Sequence, residues 1–274
     1  MSRKKLNNQM KFMGINSSNY DDSNFVIVPV PHGDNSSWIK GSEKAPRKII
    51  EASCELEHFD LLTLRNINDF NFFTHPTVKY NELEKISKKI FKEKKIPFFI
   101  GGDHSISIPI MKNLKKEVTI LHLDAHLDMR ESYMENKESH ASALYEASKN
   151  HKVIHLGVRS GCEEDIMNVK KFNNIILNSL DMKLLLENIT GDVYITLDVD
   201  VLDPAYMPAT GTPEPLGISY GNLLNILVTI CNNKNVIGMD IVELSPKEGL
   251  HFCDLSVAKL IFTCIIMLGK KSEK

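Results

Sequence analysis

The stretch Val118-Thr119-Ile120-Leu121-His122-Leu123-Asp124-Ala125-His126-Leu127-Asp128 runs from an apolar segment straight into three side chains able to bind a metal ion. If the apolar run is a strand that stays extended to its end, Asp124, His126 and Asp128 point the same way, because strand side chains repeat with period two. A second run, Val193-Tyr194-Ile195-Thr196-Leu197-Asp198-Val199-Asp200, places Asp198 and Asp200 on one face by the same reasoning. A third segment follows Ile96-Pro97-Phe98-Phe99-Ile100, in the turn Gly101-Gly102-Asp103-His104-Ser105. Two histidines and four carboxylates at strand ends are enough to hold two divalent ions, and the chain reads as a binuclear metallohydrolase.

Working outward, apolar runs of strand length recur at 25–30, 96–100, 118–123, 153–157, 174–177, 193–198 and 236–242. Stretches with helical spacing lie between most of them, at 45–57, 81–95, 105–116, 163–173, 181–189, 217–232 and 254–268. Strand and helix in alternation predict an α/β fold, a mostly parallel sheet covered by helices on both faces. In such open sheets ligands bind beyond the carboxyl ends of the strands, where all three metal-capable segments fall. Residues 1–20 read as a basic N-terminal tail or extension, and 21–274 as one catalytic domain. The Gly/Pro-rich segment 203–217 follows a ligand strand and reads as an active-site loop rather than a linker.

Composition narrows the possible partners. Of 274 residues, 33 are Lys or Arg and 35 Asp or Glu, a net charge of −2 that gives no reason to expect nucleic acid or an anionic membrane. The five cysteines form no C-x-x-C pair, so neither a disulfide framework nor a thiolate zinc site is indicated, and a reducing cytoplasm suits them. Cys253 and Cys264 read as core residues. No apolar run reaches membrane-spanning length without a charge, and the start lacks the hydrophobic segment of a signal peptide.

Burying several carboxylates without cations would cost many kcal/mol, which proteins avoid by pairing them or coordinating metal. Carboxylate and imidazole donors without thiolate suit Mn²⁺ better than Zn²⁺ or copper, although affinity order leaves Co²⁺, Ni²⁺ and Zn²⁺ open. Asp103 reads as an orienting neighbour of His104. His122 lies two residues before Asp124 on the same face, near enough to be a third imidazole, but a hydrogen-bonded buried histidine is the simpler reading, as it is for His155.

These segments resemble the ureohydrolase family, which includes arginase, agmatinase, guanidinobutyrase and formiminoglutamase. The resemblance rests on Gly101-Gly102-Asp103-His104-Ser105, Asp124-Ala125-His126-Leu127-Asp128, Ser139-His140, Leu197-Asp198-Val199-Asp200-Val201-Leu202-Asp203-Pro204 and Pro208-Ala209-Thr210-Gly211-Thr212-Pro213. It implies a single-domain, three-layer sandwich of the arginase and deacetylase type and two Mn²⁺ per chain. It makes His104 and Asp128 ligands of one ion, His126 and Asp200 of the other, and Asp124 and Asp198 bridges. It further implies a proton-shuttling role for His140 and a guanidinium-gripping role for Glu243. The partner would be a small cationic guanidino substrate, and the assembly a homo-oligomer, trimeric or hexameric by analogy.

Arginases follow the Asp-x-His-x-Asp motif with an Ile-Asn pair that helps read the substrate carboxylate, whereas Met129 and Arg130 stand here. That looks like the agmatinase branch, cleaving agmatine to urea and putrescine. Arg130 could instead greet an acidic tail, as in guanidinobutyrate or formiminoglutamate, but is expected to turn away towards Glu131 or a neighbouring loop. A metal-dependent deacetylase and a non-catalytic relative are the remaining alternatives. Metal stoichiometry separates the first, and the retained ligand set speaks against the second.

Overall fold

The computed structural model describes residues 10–33 and 39–269. Its strands, in chain order, are β1 (Phe25–Val30), β2 (Phe59–Asp60), β3 (Arg65–Asn66), β4 (Phe72–Thr74), β5 (Ile96–Gly101), β6 (Thr119–Leu123), β7 (Val153–Leu156), β8 (Ile175–Leu177), β9 (Val193–Asp198) and β10 (Val236–Val242). The helices are α1 (Ala45–Ser53), α2 (Tyr80–Lys92), α3 (Ser107–Met111), α4 (Tyr145–Ser148), α5 (Glu163–Lys171), α6 (Met182–Asn188), α7 (Tyr220–Asn233) and α8 (His251–Gly269). Eight strands form one sheet in the order β4-β1-β5-β10-β9-β6-β7-β8, and every pairing in it is parallel. β2 and β3 make a separate antiparallel hairpin.

Period-two alternation divides the strand side chains between two cores. Phe25, Ile27, Phe98, Ile100, Leu121 and Leu123 face one core, with residues of α1, α6, α7 and α8. Val26, Val28, Phe99 and Ile120 face the other, with residues of α2, α3, α4 and α5. A parallel sheet covered on both faces needs apolar residues at consecutive positions, which is why its strands read as unbroken apolar runs. α8 is long and apolar enough to cross a membrane by length and composition, yet 78% of its most apolar window is buried inside the protein, against α1 and α7. Its Cys253 and Cys264 are core residues, as expected.

Residues 10–20 belonged to the stretch read as an N-terminal extension. Here Phe12 and Met13 enter the core, the Phe12 amide donating to Thr74 Oγ1 at 3.0 Å and the Met13 amide to Ser53 Oγ at 2.8 Å. Residues 1–9 of that stretch lie outside the described residues.

The strand order decides where the site sits. β5, β10, β9 and β6 are adjacent at the centre of the sheet. The register pairs Val242 with Asp198 and Leu197 with Leu123, so Glu243, Asp198 and Asp124 emerge together at the carboxyl edge.

Candidate metal centre

Each ligand-bearing segment leaves its strand by a local device. After β5 the chain passes so close to the preceding loop that a Cβ on Gly102 would lie 1.7 Å from the His32 carbonyl oxygen, so only glycine fits. Asp103 then caps the short turn 104–106, accepting from the Ser105 amide at 3.0 Å and from the Ser105 hydroxyl, which aims His104 inward. β6 ends at Leu123, and Asp128 adopts a left-handed backbone with φ 52°. The three side chains of that motif therefore meet through an irregular turn, not through continued strand periodicity. β9 likewise ends at Asp198, whose Oδ1 accepts from the Asp200 amide at 2.8 Å and caps a helical turn over 199–201. Glu243, directly after β10, is also left-handed, with φ 64°. Two non-glycine residues held in this sparsely populated region face the same cavity, a form of strain that clusters at functional sites.

The six sequence-derived ligand candidates converge as two groups that share Asp124. In the first, His104 Nδ1 lies 3.1 Å from Asp124 Oδ2, 3.1 Å from Asp128 Oδ2 and 3.6 Å from Asp198 Oδ2. In the second, His126 Nδ1 lies 3.0 Å from Asp200 Oδ2 and 3.5 Å from Asp124 Oδ1. The two oxygens of Asp124 thus face different groups. Atoms bound about 2.1 Å from one ion in octahedral geometry lie about 3 Å apart, so these spacings suit ligands around shared cations. His122 Nε2, 2.9 Å from Asp124 Oδ2, adjoins the first group.

The protonation of His104 tests the fit. Thr196 Oγ1 donates its only proton to Asp240 Oδ1 at 2.7 Å, so it accepts from His104 Nε2 at 2.8 Å. In neutral His104, Nδ1 is then a bare lone pair, fully buried, without a hydrogen-bond partner and pointed at carboxylates. That orientation is repulsive unless a proton or a metal cation lies between them.

The electrostatics agree. Burial would lower the His104 and His126 pKa values, but their carboxylate neighbours hold His104 well above its ordinary range and His126 at about 11. Burial, followed by Asp200 and Asp124, pushes Asp198 well above the usual carboxyl range, and burial with Asp124 raises Asp200 to about 6. Burial also raises Asp124 on its own, but His122, His104 and His126 reverse this and hold it well below. Each buried ion costs several kcal/mol, while a backbone hydrogen bond to a charged group returns about 1.5–3. Asp124, Asp198 and Asp200 each accept one amide bond, from His126, from Asp200 at 2.8 Å and from Ala125 at 3.0 Å, which does not offset that. The donor set fits two divalent cations.

A cavity of about 260 Å³ opens over this cluster, lined by His126, Asp128 and Asp198 together with His140, Glu243, Arg130, Tyr133, Asp165 and Thr212. His140 and Glu243 thus share one cavity wall system with the candidate ligands. Glu243 Oε1 accepts from the His104 amide at 2.8 Å, and burial, then Asp103, pushes its carboxyl well above the usual range. Arg130 contacts neighbouring segments rather than Glu131. It lines the cavity, with its guanidinium over the Tyr133 ring at 5.0 Å and Nε 4.0 Å from Asp165.

Sequence reasoning passed over Asp165, which accepts from the Met129 and Cys162 amides, and Arg159, whose guanidinium donates to the carbonyls of Asp200 and Glu214 at 2.7 and 2.9 Å. It also passed over Thr196 and Asp240, whose signal was present: each is a lone polar residue inside an otherwise apolar strand, and such residues are buried only with partners.

Comparison with known proteins places this geometry. A family model described as Arginase family matches residues 23–267. The agmatinase of Halalkalibacterium halodurans is 33% identical over 249 residues, covering 84% of this chain and 86% of that protein. The N(1)-aminopropylagmatine ureohydrolase of Thermus thermophilus is 29% identical over 271 residues, covering 91% and 92%. The crystal structure of the agmatine ureohydrolase of Thermoplasma volcanium superposes with a TM-score of 0.88 at 26% identity, covering 98% of this chain and 97% of that one.

Proposed function

From the premise that the chain belongs to the arginase family, a family of hydrolases, we propose that it is a manganese-dependent agmatinase, releasing urea and putrescine from agmatine. The observation that carries this reading is the convergence of two imidazole–carboxylate groups on Asp124, with His140 and Glu243 in the same cavity. His104 and Asp128 would hold one ion and His126 and Asp200 the other, with Asp124 and Asp198 available to both. Oxygen donors with two imidazoles and no thiolate suit Mn²⁺. When bound, such a pair supplies a water acidified from a pKa of about 15.7 towards 7 and stabilises charge at the attacked carbon.

The protein's own residues do the rest. Glu243 has Oε1 engaged by the His104 amide, which leaves Oε2 to accept from the guanidinium in a charge-assisted bond. His140 holds the proton that the departing amine requires. Met129 is fully buried, its Sδ accepting from Ser148, so it cannot read a substrate carboxylate. The Arg130 charge is shared with Asp165 and Tyr133. Arginine would have to shed the water around its carboxylate where Met129 offers no donor and the Arg130 charge is already shared, a penalty of about several kcal/mol.

A second reading, a guanidine carrying a longer polyamine tail, is favoured by the likeness to the Thermus thermophilus enzyme. A reducing cytoplasm and a homo-oligomeric state belong to the same proposal, the first resting on the free cysteines and the second on family analogy. The test is a product-release screen of Mn²⁺-loaded protein against agmatine, N(1)-aminopropylagmatine, arginine, guanidinobutyrate and formiminoglutamate. Agmatine is expected to lead. Faster turnover of arginine or guanidinobutyrate at equal concentration would overturn the substrate assignment and leave the family membership standing.

A further inference from the structure

A row of buried polar side chains crosses the sheet one step below the ligands. Asp240 on β10 pairs in register with Thr196 on β9, Thr196 with His122 on β6, and His122 with His155 on β7. All four are fully buried. Thr196 and His122 each lie two residues before an aspartate at the cluster, on the same strand face. The Asp240–Thr196 half of the row ends on His104. The other half ends on the shared carboxylate: His122 Nε2 is 2.9 Å from Asp124 Oδ2, and His122 Nδ1 is 2.8 Å from His155 Nδ1.

We propose that His122 and His155 are positioning residues, a two-imidazole relay that locks the shared carboxylate Asp124 in the orientation serving both metal groups. This rests on the metal-centre reading above. An imidazole has two ring nitrogens, and both of His122's are engaged. An ionised carboxylate only accepts, so Nε2 of His122 carries the proton and donates to Asp124. Its Nδ1 must then accept, so His155 donates from Nδ1. His155 is left with Nε2 bare, buried and without a partner, as found. Burial holds His155 well below the ordinary histidine range, in keeping with a neutral ring that has one proton to give. His155 thereby dictates the tautomer of His122. Without that donor, His122 can place its proton on Nδ1 and turn a lone pair towards Asp124.

The opposite reading makes His122 a metal ligand through Nε2. It requires Nδ1–H of His122 to donate to His155, and so puts the His155 proton on Nε2. The two readings therefore predict opposite tautomers for His155.

The experiment compares wild type, His155→Gln and His155→Leu. Mn²⁺ affinity is measured by competition against a chelator, and the ring nitrogens of ¹⁵N-histidine-labelled wild type are read by NMR with Zn²⁺ as diamagnetic probe. Glutamine retains an N–H donor and leucine does not. Leucine is expected to weaken Mn²⁺ binding about 10–100-fold and glutamine to stay near wild type, with the His155 proton on Nδ1. Unchanged affinity in His155→Leu, equal losses in both variants, or a proton on His155 Nε2 would each overturn the proposal. Should the leucine variant not fold, the glutamine affinity and the wild-type tautomer decide. Wild type binding fewer than two Mn²⁺ per chain is a separate outcome, which defeats the metal-centre reading itself.

Discussion

His104 Nε2 lies 2.8 Å from Thr196 Oγ1, and that hydroxyl is committed to Asp240, so a threonine on β9 fixes which nitrogen of a histidine in the turn after β5 faces the candidate metal centre. Orientation of a ligand imidazole by its second nitrogen is a recurrent feature of metal sites. Thr196→Val removes the acceptor at nearly constant volume and strands the Nε2–H. Mn²⁺ affinity, measured by chelator competition, is expected to fall about 10–100-fold. An unchanged affinity would show that His104 needs no such support.

Metal binding should release protons. The carboxylates around them oppose the effect of burial, keeping His104 well above its ordinary range and His126 at about 11, so the ion-free site favours the protonated form of both rings. A cation can bind these nitrogens only after displacing the proton. Mn²⁺ titration calorimetry in buffers of different ionisation enthalpy should report a net release of protons, to which the raised Asp198 carboxyl also contributes, and affinity should rise with pH. Binding with no proton release would contradict this account of the site.

The two cavity residues should separate kinetically. Removing a general acid–base group costs about 10²–10⁴ in turnover, so His140→Asn should lose that much kcat while retaining both ions. Glu243→Gln keeps an oxygen for the His104 amide but loses the charge that meets the guanidinium. Its effect should appear chiefly in KM, by about 1.5–3 kcal/mol, roughly ten- to hundredfold. Full turnover by His140→Asn across the pH range would remove the histidine from the mechanism.

Asp254, in the first turn of α8, is buried with Oδ1 unpartnered, and burial raises its carboxyl above 3.8 despite His251 and Lys48. A carboxyl raised in the folded state is most costly where it must ionise, above its folded pKa. The cost disappears below the unfolded value. Asp254→Asn should therefore raise the melting temperature at pH 7 and give no gain below about pH 3.8. A variant less stable than wild type at pH 7 would show that the carboxylate is paired in solution.

The strand positions at 25–30, 96–100, 193–198 and 236–242 were legible because a doubly covered parallel strand is apolar throughout. β4 escaped notice: it is three residues long, and its place beside β1 depends on pairing rather than on its own pattern. The helix expected over 105–116 shrank to Ser107–Met111, since the segment that aims His104 is a capped turn.

The spacing of Asp124, His126, Asp128, Asp198 and Asp200 could be read directly, because residue type and strand-end position are local properties. How those residues face one another was decided by tertiary structure. Asp128 reaches His104 only through a left-handed turn, and the shared oxygens of Asp124 depend on β6 lying next to β9. The support beneath them is equally non-local. Asp240, Thr196, His122 and His155 lie on four strands separated by dozens of residues, and each alone looks like an isolated polar residue in an apolar run. Sheet register brings them into one row, and hydrogen bonds reaching about 3 Å then turn four unrelated positions into partners. The chain alone determined which chemistry was possible; the packing of parallel strands decided which atoms could take part, because metal coordination and tautomer choice depend on distances that no local pattern sets.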